Sequence, residues 1–476
     1  MNDLTQKLYL TFPAFRNIAA TLKGLKINGE RYGQYYRDEL LAILERDRWT
    51  SQQFAEYQCR RLREIVELAV QHVPYYREIF HKNGLQTADI QTPHDLHKLP
   101  ILEKTMVRAD PLKFVDERLN PQNLFETTTT GTTGTPIRVL MSRRAQQRHY
   151  AFLEARCRSV AGFRYGEDPY VMFGARHVVS LDRTKPPFWC YNHASKQLYM
   201  SSFHLASQFL ESYCGELKRR PYKALMGYPS VMATIAQFVL ERNIDDLRIP
   251  IAITNGETLQ QHQRKIIEQA FHCEVFDQYG CAELSVFAAE EKCHRMHVSV
   301  DYGITEIVDD SDRPAMPGES GHLVCTGLIN DAQILLRCRV GDIGAWSNDP
   351  LSSDPCECGS VLPVLRSLDG RSSNAIILSD GRAVFRVGTI AEEMASVSQY
   401  QIVQEEIGKF AVYVVASAGF TDLDRDELIR NLAQHVGRAN IRVELVNSLK
   451  RDPGGKFAFI VSKVPRFPNR ISQSSG

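Results

Sequence analysis

The chain has almost no excess of charge of either sign. Lys and Arg number 57 against 56 Asp and Glu, a net charge of +1. The basic surplus of a nucleic-acid binder is missing, and so is the acidity of a solvating, unstructured chain. A long apolar run is also missing. The longest, Phe410–Phe420, reaches about half the ~20 residues a membrane-spanning helix needs. The opening Met1-Asn2-Asp3-Leu4 has an early acid and no apolar h-region, so no secretory signal is expected. Cysteine is sparse, with eleven in 476 residues. A disulfide scaffold is denser, smaller and even-numbered. A reducing cytoplasm is expected, with most cysteines packed as small hydrophobes.

What remains is a globular composition. Hydrophobic residues make up 43% and charged residues 24%, enough for true cores, and the length suggests two to four folding units. Residues Leu8–Leu25 mix Lys7, Arg16, Lys23 and Lys26 with apolar positions, and Pro13 is expected to interrupt them. A packing helix or loose arm fits better than an interfacial membrane helix. Ala55, Cys59, Leu62, Val66, Ala69 and Val73 recur at helical spacing, with Thr50 or Ser51 to cap the start and Pro74 beyond the end. Leu259–Phe271 reads as a helix and Glu274–Tyr279 as the strand after it. This rhythm predicts an α/β sheet between 145 and 300. After Gly370 the pattern becomes strand, strand, helix (Leu423–Val436), strand, a small α+β unit.

Two stretches carry chemistry. Thr127–Thr135 holds seven threonines and two glycines. Glycines allow close backbone approach, successive amides make an anion-binding concavity, and threonine hydroxyls add donors. That suits a polyphosphate, although no Lys follows Gly134 as a P-loop kinase requires. The second stretch is Cys356-Glu357-Cys358, with Cys293, His294 and His297 upstream. Such ligands suit a structural Zn²⁺, and the choice between His294 and His297 stays open.

Thr130-Gly131-Thr132-Thr133-Gly134-Thr135-Pro136 resembles the phosphate loop of the adenylate-forming superfamily, which includes acyl-CoA synthetases, luciferases and peptide-synthetase adenylation domains. Tyr279-Gly280-Cys281-Ala282-Glu283, Gly341-Asp342 and Gly370-Arg371 resemble its other motifs and fall in the family's order. Val73-Pro74-Tyr75-Tyr76, Leu99-Pro100-Ile101-Leu102-Glu103-Lys104, Gly227-Tyr228-Pro229-Ser230 and Asn255-Gly256-Glu257 are similar to the phenylacetate–CoA ligase family, especially its capsular-polysaccharide branch. The likeness runs from about residue 30 to near the end.

The resemblance implies an α/β fold with a large N-terminal adenylation domain of several subdomains, residues 1–371. A small, mobile α+β lid, 372–476, would carry the catalytic lysine. It implies ATP bound by Thr129, Thr130, Gly131, Thr132, Thr133 and Gly134. Gly256, Glu257, Gln278, Tyr279 and Gly280 would frame adenine, with Asp342 and Arg371 at the ribose. Glu283 would hold Mg²⁺, and Lys456 would stabilise charge at the α-phosphate. The expected zinc ligands are Cys293, His297, Cys356 and Cys358. The expected reaction is ATP-dependent adenylation of a small carboxylic acid, with acyl transfer to coenzyme A by default or to an amine. No nucleic acid and no transmembrane segment are expected, and a homodimer is an open alternative. A reading of another class is a non-catalytic nucleotide-binding component of a polysaccharide assembly complex.

Overall fold

The structure is a computed structural model. It describes residues 13–128, 137–347, 354–371, 376–379, 383–384, 390–391, 394, 396–417, 419–452 and 455–464. The threonine–glycine run Thr129–Gly134 lies outside the described residues.

Helices come first. α1 (Pro13–Arg31) begins at Pro13 rather than being interrupted by it. The missing amide of proline costs nothing in a first helical turn, where that donor has no partner anyway. α2 (Gln34–Arg46) follows, then α3 (Ser51–His72), α4 (Pro74–Lys82), α5 (Lys104–Ala109) and α6 (Arg143–Leu153). α3 starts as its sequence implies. Thr50 and Gln53 exchange side-chain and backbone hydrogen bonds in a capping box. α2 is pinned to the body by buried charge. Arg46 bonds Asp301 at 2.7 Å and Glu39 at 2.6 Å, and Arg148 reaches the other Glu39 oxygen at 2.7 Å.

A hairpin, β1 (Phe125–Thr128) with β2 (Arg138–Met141), flanks the threonine–glycine run. The main sheet has twelve strands. They are β3 (Tyr170–Gly174), β4 (Trp189–Asn192), β5 (Gln197–Ser201), β6 (Ala224–Gly227), β7 (Ile251–Asn255), β8 (Glu274–Gly280), β9 (Phe287–Glu290), β10 (Met296–Val298), β11 (Gly303–Val308), β12 (Gly321–Gly327), β13 (Cys338–Trp346) and β14 (Val364–Arg371). In space the order is β11-β12-β13-β14-β10-β9-β8-β7-β6-β3-β5-β4. β5, β3, β6, β7 and β8 are parallel, and the rest pair antiparallel. Between the parallel strands run α7 (Ser207–Leu217), α8 (Pro229–Glu241) and α9 (Gln261–Phe271). The run Val231, Met232, Ile235, Ala236, Val239 on α8 is at most 1% exposed. The central parallel strands β6 and β7 are correspondingly apolar and buried nearly along their length, as a sheet covered on both faces requires.

The C-terminal residues build a second, four-stranded sheet, after a two-stranded pair β15 (Ile376–Ile377) and β16 (Ala383–Val384). Its strands are β17 (Val397–Glu406), β18 (Lys409–Ala416), β19 (Asn440–Leu445) and β20 (Ile460–Ser462), in the order β19-β18-β17-β20. α10 (Asp422–Val436) lays Leu428 and Leu432, both fully buried, on Ile402, Phe410, Val412 and Val414. Sequence patterning missed β20, three residues long and paired in parallel with β17. So short a strand has no periodicity to read. Its consequence is functional, because Lys456 lies on the connection from β19 into β20.

No helix among the described residues is long and apolar enough to cross a membrane.

Gly227 ends β6 with φ +123°, and a Cβ there would lie 1.7 Å from the Phe173 carbonyl oxygen. Gly166, at φ +82°, has open space around it. Gly227→Ala therefore costs about 3 kcal/mol, from a backbone clash that nothing flexible relieves. Gly166→Ala costs only about 1 kcal/mol, the strain of a left-handed residue. Denaturant melts of both variants check the order, and equal losses would contradict it.

Candidate active site

The carboxyl ends of β3, β5, β6, β7 and β8 emerge on one side of the sheet, where the loops after open α/β strands form ligand crevices. A cavity of about 1200 Å³ lies there. Gly256, Glu257, Gln278, Tyr279, Gly280, Asp342, Arg371 and Lys456 all line it. Residues from β7, β8, β13, β14 and the C-terminal sheet thus meet in one space.

Asp342 organises the wall. Tyr279 Oη donates to Asp342 Oδ2 at 2.7 Å, and Arg371 Nε lies 3.1 Å from Oδ1. Asp342 and Arg371 are register partners across β13 and β14, so sheet pairing itself brings them together. Asp342 raises the Arg371 pKa further above its usual value. Burial, and then Asp342, push the Tyr279 hydroxyl well above the ordinary phenol value, so it is a donor at every working pH. Gly256 turns with φ +78°; a Cβ there would sit 3.0 Å from Tyr228 Cε1 and 3.5 Å from Lys456 Cε. Gly256 is thus where the lysine approaches the N-terminal body.

Lys456 enters from the C-terminal sheet. Its amide donates to Asp452 Oδ1 at 2.8 Å, closing the turn that carries it. Burial, followed by the neighbouring Arg371 charge, lowers its pKa below the ordinary lysine value. Glu257, expected beside adenine, uses both carboxylate oxygens on backbone amides. Oε2 accepts from Ser230 at 3.1 Å and Oε1 from Phe457 at 2.5 Å.

Glu283 stands near this wall in the same segment as Tyr279, its side chain 2% exposed. Lys104 Nζ lies 2.5 Å from Glu283 Oε1. Burial works against the Lys104 charge, but Glu283 outweighs it, and the lysine pKa lies above its usual value. Sequence reasoning used Lys104 only as part of a motif and assigned it no role. The signal available was a lone cation closing Leu-Pro-Ile-Leu-Glu-Lys. A buried carboxylate with hard oxygen donors fits Mg²⁺.

Residues 172–205 divide between two places. His177 stacks on Phe203, ring centres 4.6 Å apart, and Phe203 lies 3.0 Å from where a Gly455 Cβ would be. Arg176 lies over the Tyr199 ring at 5.7 Å. Trp189 and His193 belong instead to the far edge strand and the turn after it, where the His193 amide donates to Thr21 Oγ1 of α1 at 3.0 Å.

The cysteine cluster lies at the antiparallel end of the sheet. One donor atom from each of Cys293, His297, Cys356 and Cys358 falls within 4.8 Å of all the others. Cys293 Sγ to Cys356 Sγ is 3.9 Å, and Cys358 Sγ to His297 Nε2 is 3.6 Å. A tetrahedron with arms of about 2.3 Å has edges of about 3.8 Å, so the set fits zinc. His297 Nδ1 lies 2.8 Å from the Arg295 carbonyl, which leaves Nε2 as the lone-pair nitrogen facing the sulfurs. His294 turns away to Glu274, 3.3 Å from its carboxylate.

Residues 376–463 match the family model described as the CapK C-terminal domain. Protein CapK of Staphylococcus aureus is 27% identical over 465 residues, covering 94% of this chain and 97% of that protein. A Pseudomonas putida phenylacetate–coenzyme A ligase is 23% identical over 433 residues, covering 84% and 92%. A crystal structure of 2-hydroxyisobutyryl-CoA ligase in the postadenylation state, in complex with R3-HIB-AMP, superposes with a TM-score of 0.69. The two are 20% identical, and the match covers 88% of this chain and 91% of that one. The chain shares the fold of that adenylate-forming ligase. Its sequence relatives include CapK and phenylacetate–CoA ligases. The same 2-hydroxyisobutyryl-CoA ligase in its thioesterification state superposes less well, at 0.56 over the same coverage.

Purified without chelator, the protein is expected to carry about one zinc per chain. Cys358→Ser loses the metal and lowers the melting temperature, because metal binding here adds to folding energy. Elemental analysis beside a melt checks both, and a zinc-free protein with a normal melt removes the site.

Proposed function

We propose that the chain adenylates a small carboxylic acid with ATP and passes the acyl group to a nucleophile, coenzyme A by default. The observation that carries this is the convergence of Tyr279, Asp342, Arg371 and Lys456 on one cavity, from two separate sheets. Asp342 offers paired oxygens for a ribose diol. Tyr279, Gly256, Gln278 and Gly280 make a surface for adenine. Glu283 is the carboxylate for Mg²⁺, which when bound neutralises triphosphate charge. Lys104 sits against it as a second positive group. In the first step an acid oxygen bonds to the α-phosphorus, the bond to the bridging oxygen breaks, and pyrophosphate leaves. Lys456 stabilises the negative charge that builds between acid and α-phosphate. In the second step a thiolate sulfur attacks the acyl carbon and AMP leaves. We place the joint between the two domains at residue 371, where Arg371 ends β14.

An amine acceptor is the second reading of the transfer step, suited to the capsule link of CapK-type relatives. A non-catalytic nucleotide-binding role is the reading of another class. It has no use for a buried cation in the cavity, which Lys456 supplies. Pyrophosphate release across a panel of aliphatic, hydroxylated, aromatic and dicarboxylic acids tests the proposal. ATP binding with no release for any acid would favour the non-catalytic role.

Lys456→Ala is expected to reduce pyrophosphate release by about 10²–10³-fold, the usual cost of one transition-state electrostatic group. The active form is the cation, and its folded pKa is lowered. Activity is therefore lost as pH rises through a value below the ordinary lysine pKa of 10.5. Lys456→Arg pushes that limb to higher pH. A pH–rate profile of the three proteins measures this, and a coincident alkaline limb in all three would assign it elsewhere.

Glu283→Gln raises the Mg²⁺ requirement for pyrophosphate release. It also leaves the Lys104 cation buried without its partner, so the melting temperature falls. Adding Lys104→Met to Glu283→Gln restores the melt but not the activity. A double variant that regains both would end the metal-binding role of Glu283.

A further inference from the structure

The Lys456 loop docks on the N-terminal body through a buried set of contacts that uses no catalytic group. Glu257 follows β7, with its side chain 2% exposed. One oxygen accepts from Ser230, in the first turn of α8, where helix amides lack partners. The other accepts from Phe457, next to the lysine in the chain. Arg451, on the same loop as Lys456, completes the joint. Its Nη1 donates to Ser230 Oγ at 2.7 Å and to the Gly455 carbonyl at 3.1 Å, and lies 3.7 Å from Glu257 Oε1. The Arg451 guanidinium also sits 5.9 Å from the centre of the Phe457 ring. Gln399 on β17 adds an outer bond to Thr234 of α8, at 2.7 Å.

These contacts share a logic. Glu257 is anchored on one side by α8 and presents its second oxygen to a single amide of the moving loop. A buried carboxylate is costly unless each oxygen is bonded, so undocking Phe457 leaves Glu257 Oε1 without a backbone donor. Arg451 offsets the carboxylate charge only when the loop is seated. Burial raises the Glu257 pKa and lowers that of Arg451, and each group is the largest influence opposing the other's shift.

We propose that Glu257 and Arg451 form a latch that seats Lys456 in the cavity during adenylation. Both are positioning residues: neither reaches the reacting atoms, and each acts through the lysine. The latch must release for acyl transfer if the second sheet reorients between half-reactions. This proposal rests on the adenylation reading for its purpose, but not for its geometry.

Hydrogen–deuterium exchange of the whole protein, with no substrate present, isolates the latch. In the wild type the Phe457 amide is protected. Glu257→Gln and Arg451→Ala each speed exchange in the peptide around 455–459 by roughly tenfold or more, as expected on losing a hydrogen bond to a charged group. Peptides from β18 and from the buried run of α8 keep their wild-type protection in both variants. Lys456→Ala keeps the 455–459 protection, because its side-chain charge is not part of the joint. Unchanged exchange at 455–459 in Glu257→Gln overturns the proposal. Exchange that rises equally through α8 in Arg451→Ala also overturns it, by showing a merely structural role. With an acid identified by pyrophosphate release, Arg451→Ala lowers kcat for adenylation while acyl transfer from isolated acyl-adenylate is unchanged. A loss in both half-reactions also counts against the latch. If exchange behaves as described but no acid releases pyrophosphate, the latch stands and the adenylation reading fails.

Discussion

Parallel pairing of β5, β3, β6, β7 and β8 is the constraint on which the rest of the site depends. Parallel strands must all deliver their carboxyl ends to one side; the return paths into β6, β7 and β8 are the helices α7, α8 and α9, while that from β3 to β5 passes through the edge strand β4. Gly227, Gly256 and Gly280 stand at or just beyond three of those ends. Glycine at these ends lets neighbouring protein groups approach the backbone closely. Gly227 marks how tight this packing is, since its missing Cβ is replaced by the carbonyl of Phe173. The helices that make this register affordable are apolar on the side they turn to the sheet.

The antiparallel half of the sheet does different work. β13 and β14 bring Asp342 opposite Arg371, and Tyr279 at the end of β8 closes the triangle. The wall of the cavity is therefore a product of strand register, not of flexible loops. A one-residue slip would turn Asp342 to the other face of the sheet. The cysteine–histidine cluster draws Cys293 and His297, on either side of the start of β10, to Cys356 and Cys358, between β13 and β14. It ties together the connections next to those strands.

Charge is handled sparingly throughout. Buried ions occur as pairs or networks, as at Arg46, Glu39, Arg148 and Asp301, or at Lys104 and Glu283. Breaking such a set leaves an uncompensated charge, while its net stabilising value is small. Their use here is positional. The first set fixes the N-terminal helices, and the second holds a carboxylate ready beside the cavity. Lys456 differs in being held by its backbone, with its side chain facing Gly256.

Local patterns in the chain determined much of this. Helical spacing and the Thr50–Gln53 box set α3, and strand patterning was readable at β8 and in the β17–β18 pair. The motifs holding Tyr279, Asp342, Arg371 and Lys456 were legible as local sequence, and the structure lines one cavity with all four. These are legible because they are local: a cap, a period or a motif needs only neighbouring residues. Pro13 was misread because its cost depends on where the helix starts. The three-residue β20 exists only through its pairing with β17. His297 was separated from His294 by side-chain direction, which spacing alone does not give. Lys104 meets Glu283 from 179 positions away in the numbering, and Arg451 meets Ser230 from 221. Contacts of that range leave no periodic trace in a single sequence. They are decided when the sheet closes and its second, smaller partner is brought against it, since only then do desolvation and geometry select which charges pair.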